Sequence, residues 1–263
     1  MPSISLFKRA KAKVGALVRE ARLTDRRRAE VVESQRAAFE KSGLSLDAAT
    51  SKSRSVFESL GLHREDTSMH YEVFSAISVA DQVNRVLEIG TSSGNFARFL
   101  AALLPDASIH TWDLPPQSFA ASDVDSYQSI QDGYGDQTMK SRAKLDGLAN
   151  VRQVRRDSTQ LAFESETYDL IWVDGDHTFP VIAFDVINAL RLARQGGWIC
   201  VDDVRPSDTG RGNLGSQETY NTVNHLEQTG LVSLHLVMKR LDSASMLLQP
   251  ELRKYIAIMR RLA

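Results

Sequence analysis

From about residue 69 onward, short apolar runs alternate with segments in which apolar residues recur every three or four positions. The second pattern predicts helices over 69–83, over 95–104 and over 179–194, the last closed by Gly196 and Gly197. The short apolar runs are typical of buried strands. We predict strands at 85–89, 108–113, 151–155, 170–173, 198–201, 232–237 and 255–259, and a helical turn is an alternative for the last.

Strands that alternate with helices predict a parallel sheet covered on both faces, because each crossover lays a helix against the sheet. The predicted fold class is therefore α/β, with a doubly wound, mostly parallel, seven-stranded sheet of Rossmann-like type. A helical extension precedes it. We place the extension at residues 1–60 and the main domain at residues 61–263, with a Ser/Thr cluster at 50–55 near the joint.

Composition narrows the function classes. The chain has 263 residues, 42% of them apolar and 25% charged, which is ordinary for a globular protein. A net charge of −1 argues against a nucleic-acid partner held by bulk electrostatics. A single cysteine, Cys200, excludes intrachain disulfides and multi-cysteine metal sites. No apolar stretch reaches the roughly 18–20 residues that span a bilayer, and no signal-peptide core is visible, so we expect a cytoplasmic protein.

The extension is basic. Residues 1–40 carry ten Lys and Arg against five Asp and Glu, a net charge of +5. Apolar residues such as Leu17 and Val18 recur there at nearly helical spacing. Two alternatives follow: a solvated helix laid on the main domain or on a second subunit of a homo-oligomer, and a basic amphipathic helix for a membrane surface.

Acidic residues follow most of the predicted strands. Open α/β sheets bind their ligands beyond the carboxyl ends of the strands, so these positions are the candidate site. The residues concerned are Asp113, Asp157, Asp174, Asp176, Asp202 and Asp203.

The loop after the first predicted strand has the form of a cofactor loop. Glycines there let the backbone approach a ligand, and the following helix offers free N–H groups to an anionic group. The dinucleotide fingerprint is incomplete, because Ser92 and Asn95 replace two of its glycines. An acid followed by G-x-x-x-G resembles the first motif of class I S-adenosylmethionine-dependent methyltransferases. The resemblance implies that S-adenosyl-L-methionine is bound by Glu88, Gly90, Thr91, Ser92 and Gly94.

Asp113 lies 23 residues beyond Gly90, where a carboxylate can accept the two hydroxyls of a ribose. Leu114 offers an apolar face for adenine. The matching acid binds ribose in the class I methyltransferases, and the resemblance implies the same role here. Asp157 follows the third strand, where this family often places an adenine contact; helix or turn capping is the alternative.

Asp174, Asp202 and Asp203 follow two strands that we expect to be neighbours. Clustered carboxylates repel one another, so such a group is neutralised by protons or by a cation. Oxygen ligands suit Mg²⁺, Mn²⁺ or Ca²⁺. Helix and turn capping by these aspartates is the structural alternative.

The segments 173–177 (VDGDH) and 201–203 (VDD) resemble those of cation-dependent O-methyltransferases, both the catechol type and the macrocin-type sugar enzymes. The resemblance implies that Asp174, Asp202 and Asp203 hold a divalent cation, Mg²⁺ or Mn²⁺. Catechol-type enzymes have a catalytic lysine at the position of His177, whereas sugar-type relatives have a basic aspartate at the position of Asp176. Either residue is therefore a candidate base, and His177 is slightly preferred.

These features together predict an O-methyltransferase that uses S-adenosylmethionine and a divalent cation. Its acceptor is a small hydroxylated molecule, such as a sugar or a natural-product intermediate. The segments 115–150 and 205–215 are candidates for a lid and a flap that close over the acceptor; a surface excursion and a flexible loop without substrate contact are the respective alternatives. Two alternatives remain: a metal-independent N- or O-methyltransferase of the same fold, and a non-catalytic subunit that binds an adenosyl ligand.

Overall fold

The computed structural model describes residues 25–61, 68–115, 140–206 and 217–262. Residues 1–24 of the basic extension, 116–139 of the expected lid and 207–215 of the expected flap lie outside the described residues.

Seven strands form one sheet, with the order β3-β2-β1-β4-β5-β7-β6. Strand β7 runs antiparallel to β5 and β6, and the other neighbouring pairs are parallel. The prediction of a doubly wound, mostly parallel seven-stranded sheet is confirmed, including its last strand. The strands are β1 Arg85–Ile89, β2 Ser108–Asp113, β3 Val151–Arg155, β4 Tyr168–Val173, β5 Ala193–Val204, β6 Val232–Met238 and β7 Tyr255–Arg261.

Helices cover both faces of the sheet. The described helices are α1 Asp25–Lys41, α2 Leu46–Ser59, α3 His70–Ala80, α4 Asn95–Leu103, α5 Val181–Leu192, α6 Gln217–Gln228 and α7 Ala244–Leu248. Short 3-10 turns occupy 143–145, 158–163 and 250–252.

The core has two layers because successive side chains of a strand point to opposite faces. In β1, Val86 packs with α3 and α4 on one face, while Leu87 packs with α5 and α6 on the other. Trp172 and Val173 divide in the same way at the end of β4. The buried apolar side chains on both faces hold the strand ends, and therefore the loops beyond them, in fixed positions.

The described part of the extension packs on the main sheet. Phe39 of α1 and Val56 of α2 are buried in the same apolar cluster as Val86. Strand β6 is an edge strand, and the Gln35 side chain of α1 accepts a hydrogen bond from the Met238 backbone N–H at 2.6 Å. Helix α1 therefore satisfies part of an otherwise open sheet edge. The division at residue 60 stays a prediction.

The start of β5 differs from the prediction. Helix α5 ends at Leu192 and β5 begins at the next residue, so Gly196 and Gly197 lie inside the strand. They form a bulge against β4, in which Gly196 has a φ of 70°, and a bulge of this kind needs glycine. Within the described residues, no helix is both long and apolar enough to cross a membrane.

Candidate active site

The carboxyl ends of β1, β2, β4 and β5 meet along one edge of the sheet, and most of the predicted site residues lie there. They form two groups. A cofactor group surrounds the loop after β1, and an acidic group surrounds the ends of β4 and β5. Strands β1 and β4 are direct neighbours, so the two groups adjoin each other.

Gly90 sits where the two groups touch. Its φ is 98°, and a Cβ built on it would lie 2.2 Å from the carbonyl oxygen of Asp174. The Asp174 N–H donates to the Ile89 carbonyl at 2.8 Å, which holds the two loops together. No side chain larger than hydrogen fits at Gly90, so the close approach of the loops explains this glycine.

The rest of the loop turns the chain into α4. Ser92 and Gly94 both have positive φ angles, 45° and 74°. Gly94 is the N-cap of α4 and supplies no capping side chain, so the first N–H groups of the helix have no side-chain cap there. Thr91 is buried while Ser92 is exposed. The loop thus presents backbone groups at a helix N-terminus, as predicted for an anionic ligand group.

Asp113 ends β2 beside this loop. Its Oδ2 accepts hydrogen bonds from the Ser92 N–H at 2.9 Å and from Arg142 at 2.5 Å. Its Oδ1 accepts from the Leu114 N–H at 2.7 Å. The Arg142 side chain, 3% exposed, also donates to the Ser92 carbonyl at 2.8 Å. Arg142 therefore ties the acid to the cofactor loop.

Leu114 and Asp157 follow the neighbouring strands β2 and β3. Leu114 is 36% exposed, which leaves an apolar surface next to Asp113. Asp157 is exposed and caps a 3-10 turn, accepting from the N–H and hydroxyl of Thr159 at 2.8 and 2.7 Å. The capping role that the sequence left open for Asp157 is thus present.

Glu88 lies inside the protein rather than at the surface of the loop. It is 1% exposed and accepts a short hydrogen bond from the Thr111 hydroxyl, which is 2.6 Å from the Thr91 hydroxyl. Burial raises the pKa of Glu88 to about 8, although the Thr111 hydrogen bond opposes the shift. Glu88 thus supports the loop from below through Thr111 and Thr91.

In the acidic group, Asp202 and Asp203 contact lysines. The Lys239 ammonium donates to Asp202 in a short ion pair and to Asp203 at 2.8 Å, and Lys254 donates to the other Asp203 oxygen at 2.8 Å. Lys239 follows β6, and Lys254 precedes β7. Two ammonium groups therefore lie where the sequence predicts a divalent cation.

A strand irregularity makes this arrangement feasible. Consecutive side chains of a regular strand point to opposite faces, so Asp202 and Asp203 could not both reach one ammonium group. The pairing of β5 with β7 shifts register between Val201 and Val204, and Asp203 has a φ of 51°. The bulge turns both carboxylates towards Lys239.

The charges in this group shift one another's pKa values. Burial and the nearby charge of Asp174 raise the pKa of Asp202. Burial would also raise the pKa of Asp203, but the two lysines outweigh it and hold that pKa well below its usual range. The carboxylates in turn raise the pKa of Lys239 despite its burial. Lys239 is therefore a permanent cation at neutral pH.

Asp174 and His177 form the remaining pair. His177 Nε2 lies 3.5 Å from Asp174 Oδ1. Burial alone would lower the pKa of His177, but the adjacent Asp174, with the more distant Asp203 and Asp202, raises it. Asp176 points elsewhere: it is exposed, and its Oδ1 accepts from the Thr178 N–H at 2.8 Å, just before α5.

The donor set does not fit a divalent cation. Among the described residues, no group of three or more His, Cys, Asp or Glu side chains is arranged to hold a metal ion. Asp202 and Asp203 direct three of their four oxygens at lysine ammonium groups. A metal ion and Lys239 would compete for the same oxygens.

The sequence interpretation missed four side chains of this edge: Arg142, Lys239, Lys254 and Asp185. Asp185 of α5 is 1% exposed, and its Oδ2 lies close enough to Gly175 that a Cβ there would be 3.2 Å away. Burial raises its pKa to about 6. A polar residue within the apolar pattern of α5 was a readable signal for Asp185, whereas the other three lie far from the motifs in sequence.

Comparison with known proteins indicates a methyltransferase domain, the class that the sequence motifs predict. A family model described as a methyltransferase domain matches residues 87–204. That range begins inside β1 and ends with β5, so it contains the cofactor loop, Asp113 and both strand ends of the acidic group.

Two curated relatives are mycobacterial. The chain is 26% identical over 147 residues to a phthiotriol/phenolphthiotriol dimycocerosates methyltransferase of Mycobacterium ulcerans, a match that covers 56% of this chain and 46% of the relative. It is 28% identical over 134 residues to the corresponding Mycobacterium leprae protein, covering 49% and 42%. The chain thus spans less than half the length of the curated relatives it matches.

One solved structure covers nearly the whole fold. It is the O-methyltransferase TomG of Streptomyces achromogenes, involved in tomaymycin synthesis and solved with S-adenosylmethionine. The TM-score is 0.53 at 20% identity, over 88% of this chain and 96% of that one. Residues 87–204 therefore match a methyltransferase domain, and the chain has the fold of the class I S-adenosylmethionine-dependent methyltransferases.

Proposed function

We propose that this protein transfers a methyl group from S-adenosylmethionine to a hydroxyl oxygen of a small molecule, with His177 as the base. One observation carries the proposal: the Asp174–His177 pair directly adjoins the cofactor loop. The pair is 3.5 Å apart, and the Asp174 backbone packs against Gly90. A proton acceptor is therefore held at the edge of the space in which a cofactor would lie.

The residues around that space fit S-adenosylmethionine. Asp113 is the proposed ribose acid, and the exposed Leu114 offers a face for adenine. Backbone groups of Thr91, Ser92 and Gly94 at the start of α4 suit the charged end of the cofactor. When bound, S-adenosylmethionine supplies a methyl group on a sulfonium, which is reactive towards an oxygen nucleophile.

The protein's own part in the reaction is proton transfer and charge stabilisation. A hydroxyl is a poor nucleophile until it loses its proton. His177 Nε2 faces Asp174, so Nδ1 is the nitrogen that accepts the proton, and Asp174 stabilises the imidazolium that results. A lone pair of the deprotonated oxygen then forms the bond to the methyl carbon. The carbon–sulfur bond breaks at the same time, and the sulfur keeps the electron pair of that bond. Burial of most of the His177 side chain limits competition by water.

The proposed acceptor is a natural-product intermediate or a sugar. The names of the similar proteins support this class, since TomG is involved in tomaymycin synthesis and the mycobacterial relatives are named for phthiotriol compounds. The acceptor must carry a hydroxyl that can reach His177.

We propose that the transfer needs no divalent cation. The sequence predicted Mg²⁺ or Mn²⁺ at Asp174, Asp202 and Asp203, but lysines bind two of these three carboxylates. This observation favours the metal-independent alternative. Retention of full turnover in EDTA is the expected result, and loss of turnover that Mg²⁺ restores would contradict it.

The test joins cofactor binding with labelled-methyl transfer. S-adenosylhomocysteine should raise the melting temperature of the protein, because a ligand that binds only the native state stabilises it. Asp113→Ala should abolish that rise. With labelled S-adenosylmethionine and a panel of catechols, sugars and hydroxy acids, His177→Ala should lower transfer at least about 100-fold.

Two results would reject the proposal. Failure of S-adenosylhomocysteine to bind would remove the cofactor. Tight binding without transfer to any acceptor of the panel, in the wild type as in His177→Ala, would favour the non-catalytic adenosyl-binding subunit.

A further inference from the structure

The acidic group at the ends of β4 and β5 contains its own cation. Lys239 Nζ donates to both Asp202 and Asp203. An ammonium group has three N–H donors. Within the described part of the chain, two of those of Lys239 go to these carboxylates, which leaves one donor for a further acceptor.

Burial makes these ion pairs strong. The side chains of Lys239 and Asp202 are 13% and 3% exposed, so solvent screens their interaction only weakly. Removing one partner of a buried ion pair leaves an uncompensated charge. The two aspartates therefore need a cation in this place, and Lys239 supplies it.

The backbone holds Lys239 from two sides. Its N–H donates to the Lys254 carbonyl at 2.8 Å, and its own carbonyl accepts from the Met69 N–H at 2.8 Å. Ser68 pairs with Arg240 in an isolated bridge beside it. Lys239 thus lies between the start of β7 and the start of α3, and its position is fixed before any ligand binds.

One oxygen of the group is left over. Asp202 Oδ1 is buried and has no hydrogen-bond partner in the described residues. A buried carboxylate oxygen without a partner costs free energy unless a ligand satisfies it. Asp202 Oδ1 and the third Lys239 donor belong to the same ion-paired group, so this group retains one acceptor and one donor, the two partners that a hydroxyl group requires.

We propose that Lys239 replaces the divalent cation of cation-dependent relatives: its ammonium neutralises Asp202 and Asp203 and donates to the acceptor oxygen that His177 deprotonates. This inference rests on the proposed methyl transfer. A fixed positive charge near a developing alkoxide stabilises it without reorganisation. We further expect that removal of Lys239 lets Asp174, Asp202 and Asp203 move together around a metal ion, an arrangement that the described side chains do not have while Lys239 is present.

The decisive variant is Lys239→Ala, which removes the ammonium and leaves room beside Asp174, Asp202 and Asp203. We expect the wild type to bind no Mn²⁺ stoichiometrically in calorimetry, and Lys239→Ala to bind one. The double variant Lys239→Ala/Asp202→Asn should lose that ion again. Lys52→Ala, at an exposed position of α2, is the control and should behave as the wild type.

Folding of the variant is checked by circular dichroism. Should Lys239→Ala fail to fold, Lys239→Gln keeps hydrogen-bond donors, adds an oxygen ligand and should show the same gain of Mn²⁺ binding. Stoichiometric Mn²⁺ binding by the wild type that Asp202→Asn abolishes would overturn the proposal. So would the absence of Mn²⁺ binding in a folded Lys239 variant.

Transfer activity is the second readout. Lys239→Ala should lower kcat at least 100-fold in EDTA and regain at least tenfold with Mn²⁺, while its affinity for S-adenosylhomocysteine stays within twofold of the wild type. Metal binding is measured without an acceptor, so failure of the proposed methyl transfer does not affect it. Unchanged transfer in Lys239→Ala would refute the role of Lys239 and leave the proposed function standing.

Discussion

At the scale of single residues, the candidate site consists of polar side chains that control one another's charge. His177 illustrates this, because burial and its carboxylate neighbours act in opposite directions and the carboxylates prevail. Glu88 illustrates the reverse, because burial prevails over its hydrogen bond. Each of these two pKa shifts leads to a measurable prediction, one about the pH dependence of the rate and one about the pH dependence of stability.

The rate of transfer should depend on the protonation of His177. A base works only when neutral, and the raised pKa of His177 keeps it protonated to a higher pH than usual. We expect kcat/KM to fall with decreasing pH through an apparent pKa above about 6.5. Asp174→Asn removes the negative charge that contributes most to raising the pKa of His177. The fall of kcat/KM on the acidic side of the pH profile, its acidic limb, should therefore move to lower pH.

Asp176→Asn distinguishes the two candidate bases in the same pH profiles. Its amide oxygen can still accept the Thr178 N–H bond, so the start of α5 is preserved. If the acidic limb disappears in this variant and persists in His177→Ala, then Asp176 is the base and the present assignment is wrong.

The stability of the protein should carry the signature of Glu88. Its pKa is raised from 4.5 to about 8 by folding, so the wild type loses stability as the pH rises through that interval. Glu88→Gln stays neutral and can still accept from Thr111. The variant should therefore gain unfolding free energy relative to the wild type by up to about 1.4 kcal/mol per pH unit between about pH 4.5 and 8.

Urea unfolding at a series of pH values measures the difference. Glu58→Gln in α2 serves as the control because Glu58 is exposed, and its difference from the wild type should not vary with pH in this way. A constant difference for Glu88→Gln would show that Glu88 is charged in the folded protein.

At the scale of elements, the ends of β1, β4 and β5 carry irregular backbone that regular strands cannot provide. The β5 bulge turns two consecutive aspartates to one side, and the loop after β1 passes over the Asp174 carbonyl. Both features depend on single residues with positive φ.

Gly90→Ala tests the contact between the two loops. The new Cβ would lie 2.2 Å from the Asp174 carbonyl oxygen, and the alanine would have to adopt a φ of 98°. We expect a loss of at least about 2 kcal/mol in unfolding free energy, together with loss of S-adenosylhomocysteine binding.

Gly43→Ala is the matched control, since Gly43 has a φ of 80° but nothing within 4 Å of its Cβ position. It should cost about 1 kcal/mol and leave ligand binding intact. Equal losses in the two variants would mean that backbone strain alone, and not the approach of Asp174, requires Gly90.

At the scale of the whole molecule, the extension and the main sheet share one core. Helices α1 and α2 bury apolar side chains among those of α3 and the sheet. Helix α1 also lies against the edge strand β6, immediately before Lys239. The extension thus supports the part of the site that holds the proposed built-in cation.

Gln35→Ala tests this support. It removes the acceptor of the Met238 N–H, a buried bond of 2.6 Å, and should lower the unfolding free energy by about 1–3 kcal/mol. The exposed Gln82 provides the control, because Gln82→Ala should change stability by less than about 0.5 kcal/mol. Hydrogen exchange should show faster opening of β6 in Gln35→Ala. Unchanged exchange in β6 would mean that α1 does not contribute to the stability of this edge strand.

The sequence by itself determined the sheet, its crossovers and the strand ends at which Gly90, Asp113 and Asp174 lie. Periodicity and turn residues are local properties, so a linear reading reaches them. Only the tertiary structure decided what neutralises Asp202 and Asp203. Lys239 and Lys254 lie more than 30 residues further along the chain and reach the site through the antiparallel insertion of β7. Arg142 also reaches Asp113 from a distant part of the chain, just before the 3-10 turn at 143–145, where the sequence has no recognisable motif. A motif predicts that several negative charges meet, whereas the identity of the positive charge among them depends on how distant strands pair.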